Sequence, residues 1–125
     1  LGLRKKIHFA GTASTDDLVK LYSQSAIAIV PSVYEGFGFP AGEAMACGVP
    51  VISSDGGALP EVVGDAGIVV PARDHVALSE AIDSLINDEK MMKKFSKAGL
   101  ERIEKLFNWE NAVEQMVEVY GRVCS

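Results

Sequence analysis

The sequence predicts an α/β domain in which a parallel sheet carries helices on both faces. Three observations lead there. Short apolar runs alternate with helical segments through the first seventy residues, the spacing of strand–helix–strand units. One run, Ala26-Ile27-Ala28-Ile29-Val30, is apolar at every position, the pattern of a strand covered on both faces. The chain has 125 residues, 48% hydrophobic and 23% charged, which suits one domain with a real core and excludes a disordered chain.

Each element has a local reason. Ile7-His8-Phe9-Ala10-Gly11 reads as a first strand closed by glycine. Ser14 or Thr15 caps a helix running to about residue 25, with Asp16 and Asp17 opposing its dipole and Leu18, Leu21 and Tyr22 forming its apolar face. The run 26–30 is the second strand, ended by Pro31. A Gly-rich turn at 35–39 follows, and Pro40 suits the opening of a helix that stops at Gly48. Val51-Ile52-Ser53 is a third strand, Asp55-Gly56-Gly57 a loop, Pro60 the start of a short helix, and residues 67–70 a fourth strand. From Asp74 onward the pattern is helical: 74–88, 89–106 and 108–123, with Asp74 and Asn108 as N-caps. No repeat, low-complexity tract or linker interrupts this order.

Charge and length exclude several function classes. Twelve basic against seventeen acidic residues give a net charge of −5, so no general nucleic-acid surface is expected. No apolar run approaches the roughly 20 residues of a spanning helix. Cys47 and Cys124 fit no metal-ligand spacing; they read as a buried thiol and a tail thiol, as in a reducing compartment, and the cytoplasm is the expected location. Because the chain opens at Leu1 close to a strand, it is expected to be a fragment of a longer protein.

In parallel α/β sheets ligands bind beyond the carboxyl ends of the strands, near helix N-termini. The loop there reads Ser32-Val33-Tyr34-Glu35-Gly36-Phe37-Gly38-Phe39-Pro40-Ala41-Gly42-Glu43. Glycine lets backbone approach a ligand, and the following helix offers unpaired N–H groups and a partial positive charge. Together they suit phosphate. Glycines alone would fit a tight turn better than a ligand site, but two carboxylates flank this one. Glu35 stands at the mouth and Glu43 just inside the helix, and carboxylates accept hydrogen bonds from paired sugar hydroxyls. A phosphate cradle between two such groups fits a nucleotide sugar. Two carboxylates could also serve a glycosidase, which would have no use for the cradle.

The stretch EGFGFPAGE, two glutamates separated by seven residues, resembles the signature of retaining glycosyltransferases of family 4. The likeness continues through EAMACGVPVISSDGGALPEVVGDAGIVV and the terminal Phe107-Asn108-Trp109-Glu110, covering essentially the whole chain. Such enzymes have the GT-B fold, two Rossmann-like domains across a cleft, and the likeness is to the C-terminal, donor-binding domain. The resemblance implies that residues 1–125 are part of that domain, with its first strands and the N-terminal acceptor domain missing. It implies that Glu35 is catalytic and contacts the transferred sugar, that Gly36, Phe37 and Gly38 meet the donor sugar or diphosphate through backbone N–H groups, and that Glu43 binds the ribose. Phe39 stands where the family often has leucine. Retention would follow from front-face attack, with the donor diphosphate taking the acceptor proton. No cofactor and no metal are implied, and no Asp-x-Asp cluster is present; the substrate would be a UDP-, GDP- or ADP-sugar.

Secondary candidates follow. Ser32, Ser53 and Asp55 read as pocket wall, and for Ser53, Ser54, Asp55, Gly56 and Gly57 a polar turn is the equal alternative. His8 and His75 read as structural. Trp109 reads either as an anchor to the missing domain or as a core residue. Lys90, Lys93, Lys94, Lys97, Arg102 and Lys105 make one helix basic; related transferases work at membrane surfaces, so peripheral contact of the parent with the inner membrane surface is one expectation, while Glu89, Glu101 and Glu104 favour a solvated face. The family's diphosphate-binding Arg and Lys would lie upstream of Leu1, and Arg4, Lys5 and Lys6 do not match them. The parent is therefore expected to be a hexosyltransferase and the fragment inactive alone, with self-association through a sheet edge exposed by the missing strands. The alternatives are a non-catalytic nucleotide-binding or assembly module on the same fold, and a sugar-nucleotide epimerase.

Overall fold

The computed structural model describes residues 2–124. Three parallel strands, β1 (Ala28–Val30), β2 (Val51–Ser54) and β3 (Ile68–Val70), lie side by side in chain order. Six α-helices accompany them: α1 (Thr15–Gln24), α2 (Phe39–Ala46), α3 (Leu59–Val63), α4 (His75–Ile86), α5 (Glu89–Leu106) and α6 (Trp109–Val123). The α/β architecture is as the alternation predicts.

Four helices begin on a side-chain cap. Ser14 Oγ accepts from Asp17 N at 3.2 Å, Asp74 Oδ1 from Val76 N and Ala77 N at 3.1 and 2.9 Å, Asp88 Oδ1 from Met91 N at 2.9 Å, and Asn108 Oδ1 from Asn111 N at 2.8 Å. Each such cap stabilises its helix by about 0.5–2 kcal/mol. The helix α2 differs: its cap is Gly38, with no side-chain bond.

Register fixes which residues share a face. Val30 pairs with Ser53, and Ser53 with Val69, on one side; Ile29, Ile52 and Ile68 align on the other. The first side packs on α2 and α3 through Ala41, Ala44, Met45, Leu59, Val62 and Val63. The second packs on α4 through Ala81 and Leu85. The long α5 serves both cores: Met91, Met92 and Phe95 join the α4 cluster, while Ala98, Ile103 and, just past its end, Phe107 join the α2 cluster. Gly99 permits the close crossing, since a Cβ there would lie 3.3 Å from the Cβ and Cγ of Met45. Ser96 Oγ donates to Gly48 O at 2.7 Å and fastens α5 to the end of α2.

Three sequence expectations are corrected. Residues 7–11 form no strand; they are exposed, following a 3-10 turn at Leu3–Lys6. A strand needs a ladder partner, and none of the described residues lies alongside. The run 26–30 is not covered on both faces either: Ile29 is 42% exposed, on a strand at the edge of the described sheet, while α4 packs mainly on β2 and β3. The core reading of Trp109 fails as well, for the side chain is 87% exposed. It opens an apolar stripe with Val113, Met116, Val117 and Tyr120 along α6, all exposed. Among the described residues no helix is long and apolar enough to cross a membrane.

Met45 is fully buried where α2, α5 and the sheet meet. Met45→Ala is predicted to lower the unfolding free energy by about 2–5 kcal/mol in urea denaturation; an unchanged midpoint would contradict this packing.

Candidate functional site

The site begins where β1 ends. Beyond Val30 and Pro31 the chain turns through Ser32 to Glu35, reverses at Gly36–Gly38, and enters α2. Gly38 has φ +92°, a left-handed conformation that glycine adopts without strain. The space at Gly38 is also closed, because a Cβ there would stand 2.9 Å from Leu59 Cδ2. Gly38 O accepts from Ala41 N and Gly42 N, both at 3.1 Å, so the helix winds tightly from its first residue. Pro40 has no N–H to satisfy. Tyr22 Oη of α1 donates to Pro40 O at 3.3 Å and steadies the same turn. Burial pushes the Tyr22 phenol up from its usual pKa, and the Glu43 carboxylate and Cys47 act in the same direction.

A second loop holds the first. Ser54 Oγ donates to Ser32 O and accepts from Gly56 N at 3.3 Å. Ala58 N donates to Glu35 O at 3.0 Å. Between these bonds the two backbones touch: a Cβ on Gly56 would lie 2.6 Å from Ser32 O and Val33 O, and one on Gly57, at φ +63°, would lie 2.2 Å from Glu35 O. Only glycine fits at either position.

The carboxylates occupy the two sides of the turn. Glu35 is half-buried and its Oε1 accepts from Ser32 Oγ at 2.7 Å. Glu43 is exposed on α2, one turn beyond the helix start. Neither points into packed interior. Gly36 is exposed, and the Phe37 ring packs on Phe39 at 4.9 Å and edge-on to Phe107 at 5.7 Å, tying the loop to the end of α5. A recess of ≈ 590 Å³ opens beside these rings, bounded by Phe37, Phe39, Phe107 and Trp109. An uncapped helix N-terminus behind a left-handed glycine can hold an anion, and accessible carboxylates on both sides can take hydroxyls.

The other expected site residues divide. Ser32 donates to Glu35 and, through its carbonyl, accepts from Ser54. Ser53 is 0% exposed and presents no surface there; its hydroxyl lies on the α2 and α3 side of the sheet without a hydrogen-bond partner. Asp55 Oδ1 accepts from Ala72 N at 2.7 Å and so holds the turn after β3. Ser54, not Ser53, joins the two loops. It also borders a smaller recess of ≈ 190 Å³ with Pro31, Arg73 and His75.

One residue read from the sequence as part of a basic solvated face behaves otherwise. Arg102 donates from Nε to Val62 O at 2.8 Å and from Nη2 to Glu61 O at 2.7 Å. Its signal was its phase, since it follows Met92, Phe95 and Gly99 along the buried stripe of α5. Lys93 and Lys97, by contrast, pair with Glu89 and Glu101 on the exposed face.

Comparisons with known proteins bear on the family and the fold. Residues 1–102 match the family described as "Glycosyl transferases group 1". The O-antigen chain mannosyltransferase B of Escherichia coli is 41% identical over 114 residues, which are 91% of this chain and 30% of that protein. Among solved structures, sucrose-phosphate synthase from Thermosynechococcus elongatus superposes with TM-score 0.85 at 38% identity, over 97% of this chain and 31% of its own. The C-terminal domain of a group 1 family glycosyl transferase from Francisella tularensis gives TM-score 0.77 at 32% identity, over 86% of this chain and 57% of its own. The chain thus spans about a third of the length of the curated relatives it matches.

The contact between the two loops is testable. Gly57→Ala is predicted to destabilise the protein by about 1–3 kcal/mol and to shift the amide resonances of residues 32–38. Unperturbed resonances there would show that the loops do not depend on each other.

Proposed function

The chain belongs to the group 1 glycosyl transferases, and from that premise we propose that it is the donor-binding, C-terminal half of a retaining hexosyltransferase that uses a nucleotide-diphosphate sugar. The observation that carries this reading is the uncapped start of α2 behind Gly38, flanked by the accessible carboxylates of Glu35 and Glu43. In it, the backbone N–H groups of Gly36, Phe37 and Gly38 and the helix dipole hold the diphosphate. Glu35, oriented by Ser32, takes the hydroxyls of the transferred sugar. Glu43 takes the ribose hydroxyls one turn deeper.

Catalysis in this reading is stabilisation of the charge that grows on the departing diphosphate, by donors fixed before the reaction begins. The diphosphate accepts the acceptor's proton and the acceptor attacks from the same face, so configuration is retained. The rest of the parent chain supplies the acceptor site. The donor is a UDP-, GDP- or ADP-sugar, and the mannosyltransferase among the relatives agrees with a hexose.

The test is Glu35→Gln in the full-length parent, assayed for transfer from each class of nucleotide sugar. Loss of a charged hydrogen bond predicts turnover reduced roughly 10- to 150-fold. Full activity would remove Glu35 from the reaction.

A further inference from the structure

The helix α3 has five residues, too few to be stable by itself, yet it touches both halves of the site. At its start Ala58 N–H donates to Glu35 O at 3.0 Å. Its first residue, Leu59, is fully buried and packs against Gly38, so closely that no Cβ fits between them. Whatever holds α3 therefore holds the Glu35 loop and the left-handed turn together.

At the other end of α3 the holder is Arg102. The carbonyls of Glu61 and Val62 are among the helix's last, and they accept from Nη2 and Nε of the same guanidinium at 2.7 and 2.8 Å. A cation at a helix C-terminus also opposes the dipole. The side chain is 22% exposed, so solvent competes little. Gly64 makes the room: a Cβ there would lie 2.5 Å from Arg102 Cζ. The ion pair with Asp65, at 3.7 Å to a carboxylate 98% exposed, adds little by comparison.

We propose that Arg102 is a positioning residue for the site: by capping α3 through two carbonyls, it fixes the Ala58 N–H and the Leu59 side chain that set Glu35 and Gly38. The catalytic consequence rests on the donor-site reading; the mechanical one does not. Lysine is a poor substitute, because an ammonium lacks the planar fork that reaches both carbonyls from one rigid group.

The test compares Arg102→Ala and Arg102→Lys in the full-length parent by hydrogen exchange, read by peptide mass spectrometry over residues 56–63 and 49–54, together with kcat and donor KM below the melting temperature. In Arg102→Ala, exchange over 56–63 should rise about tenfold and kcat should fall about tenfold, while 49–54 stays protected. Arg102→Lys should fall between that variant and the parent, and it supplies the readout if Arg102→Ala fails to fold. Unchanged exchange over 56–63, equal loss over both segments, or full kcat with α3 loosened would each overturn the proposal. Glu35→Gln run in parallel separates the two ideas. If that variant stays active, the donor reading fails, and the exchange result still decides what Arg102 does.

Discussion

The site depends on a contact between two stretches of backbone. Loop 32–35 lies so close to residues 56 and 57 that neither can carry a side chain. The Ser54 hydroxyl and the Ala58 N–H pin the two together. Neighbouring parallel strands deliver both loops to the same end of the sheet, so the pairing of β1 with β2 also aligns the loops. Glu35 is consequently held by backbone on one side and by Ser32 on the other, with little freedom to leave the mouth of the turn.

Among the described α-helices, α2 and α3 begin without a side-chain cap, α2 behind Gly38 and α3 behind Ala58. Ser14, Asp74, Asp88 and Asn108 each close a helix with an oxygen. At α2 the cap is glycine, and a neighbouring side-chain oxygen there would compete with any anion for the same N–H groups. The helix gives up about 0.5–2 kcal/mol of capping and is held instead by Met45 in the core, by Tyr22 at Pro40, and by Gly48 against Ser96. Arg102 extends the same logic across the fold, reaching from α5 to the far end of α3. Its lever on the site is one five-residue helix.

What the sequence disclosed was local. Caps, glycine turns and the helix phases of residues 74–123 depend on neighbours a few residues away, and Asp74, Asn108 and Pro40 stand where their chemistry puts them. The glycine turn before α2 was legible for the same reason. What misled was tertiary. Residues 7–11 have a strand's composition, but strand propensity is realised only beside a partner. Ile29 has a buried residue's chemistry on the exposed face of an edge strand. Ser53 and Ser54 are adjacent and identical, and only the sheet's alternation decides that one faces the core while the other bonds the loop. Arg102 carried the right phase for burial, but which carbonyls it would meet could not be read without the fold.

In the proposed function, the N–H groups of Gly36, Phe37 and Gly38 bind a diphosphate between Glu35 and Glu43. A crystal structure of the full-length parent with a nucleotide-diphosphate sugar tests it most directly. Phosphate oxygens are expected about 2.7–3.2 Å from those nitrogens, with the sugar at Glu35 and the ribose at Glu43. A donor seated elsewhere, with that turn left open to water, would contradict it.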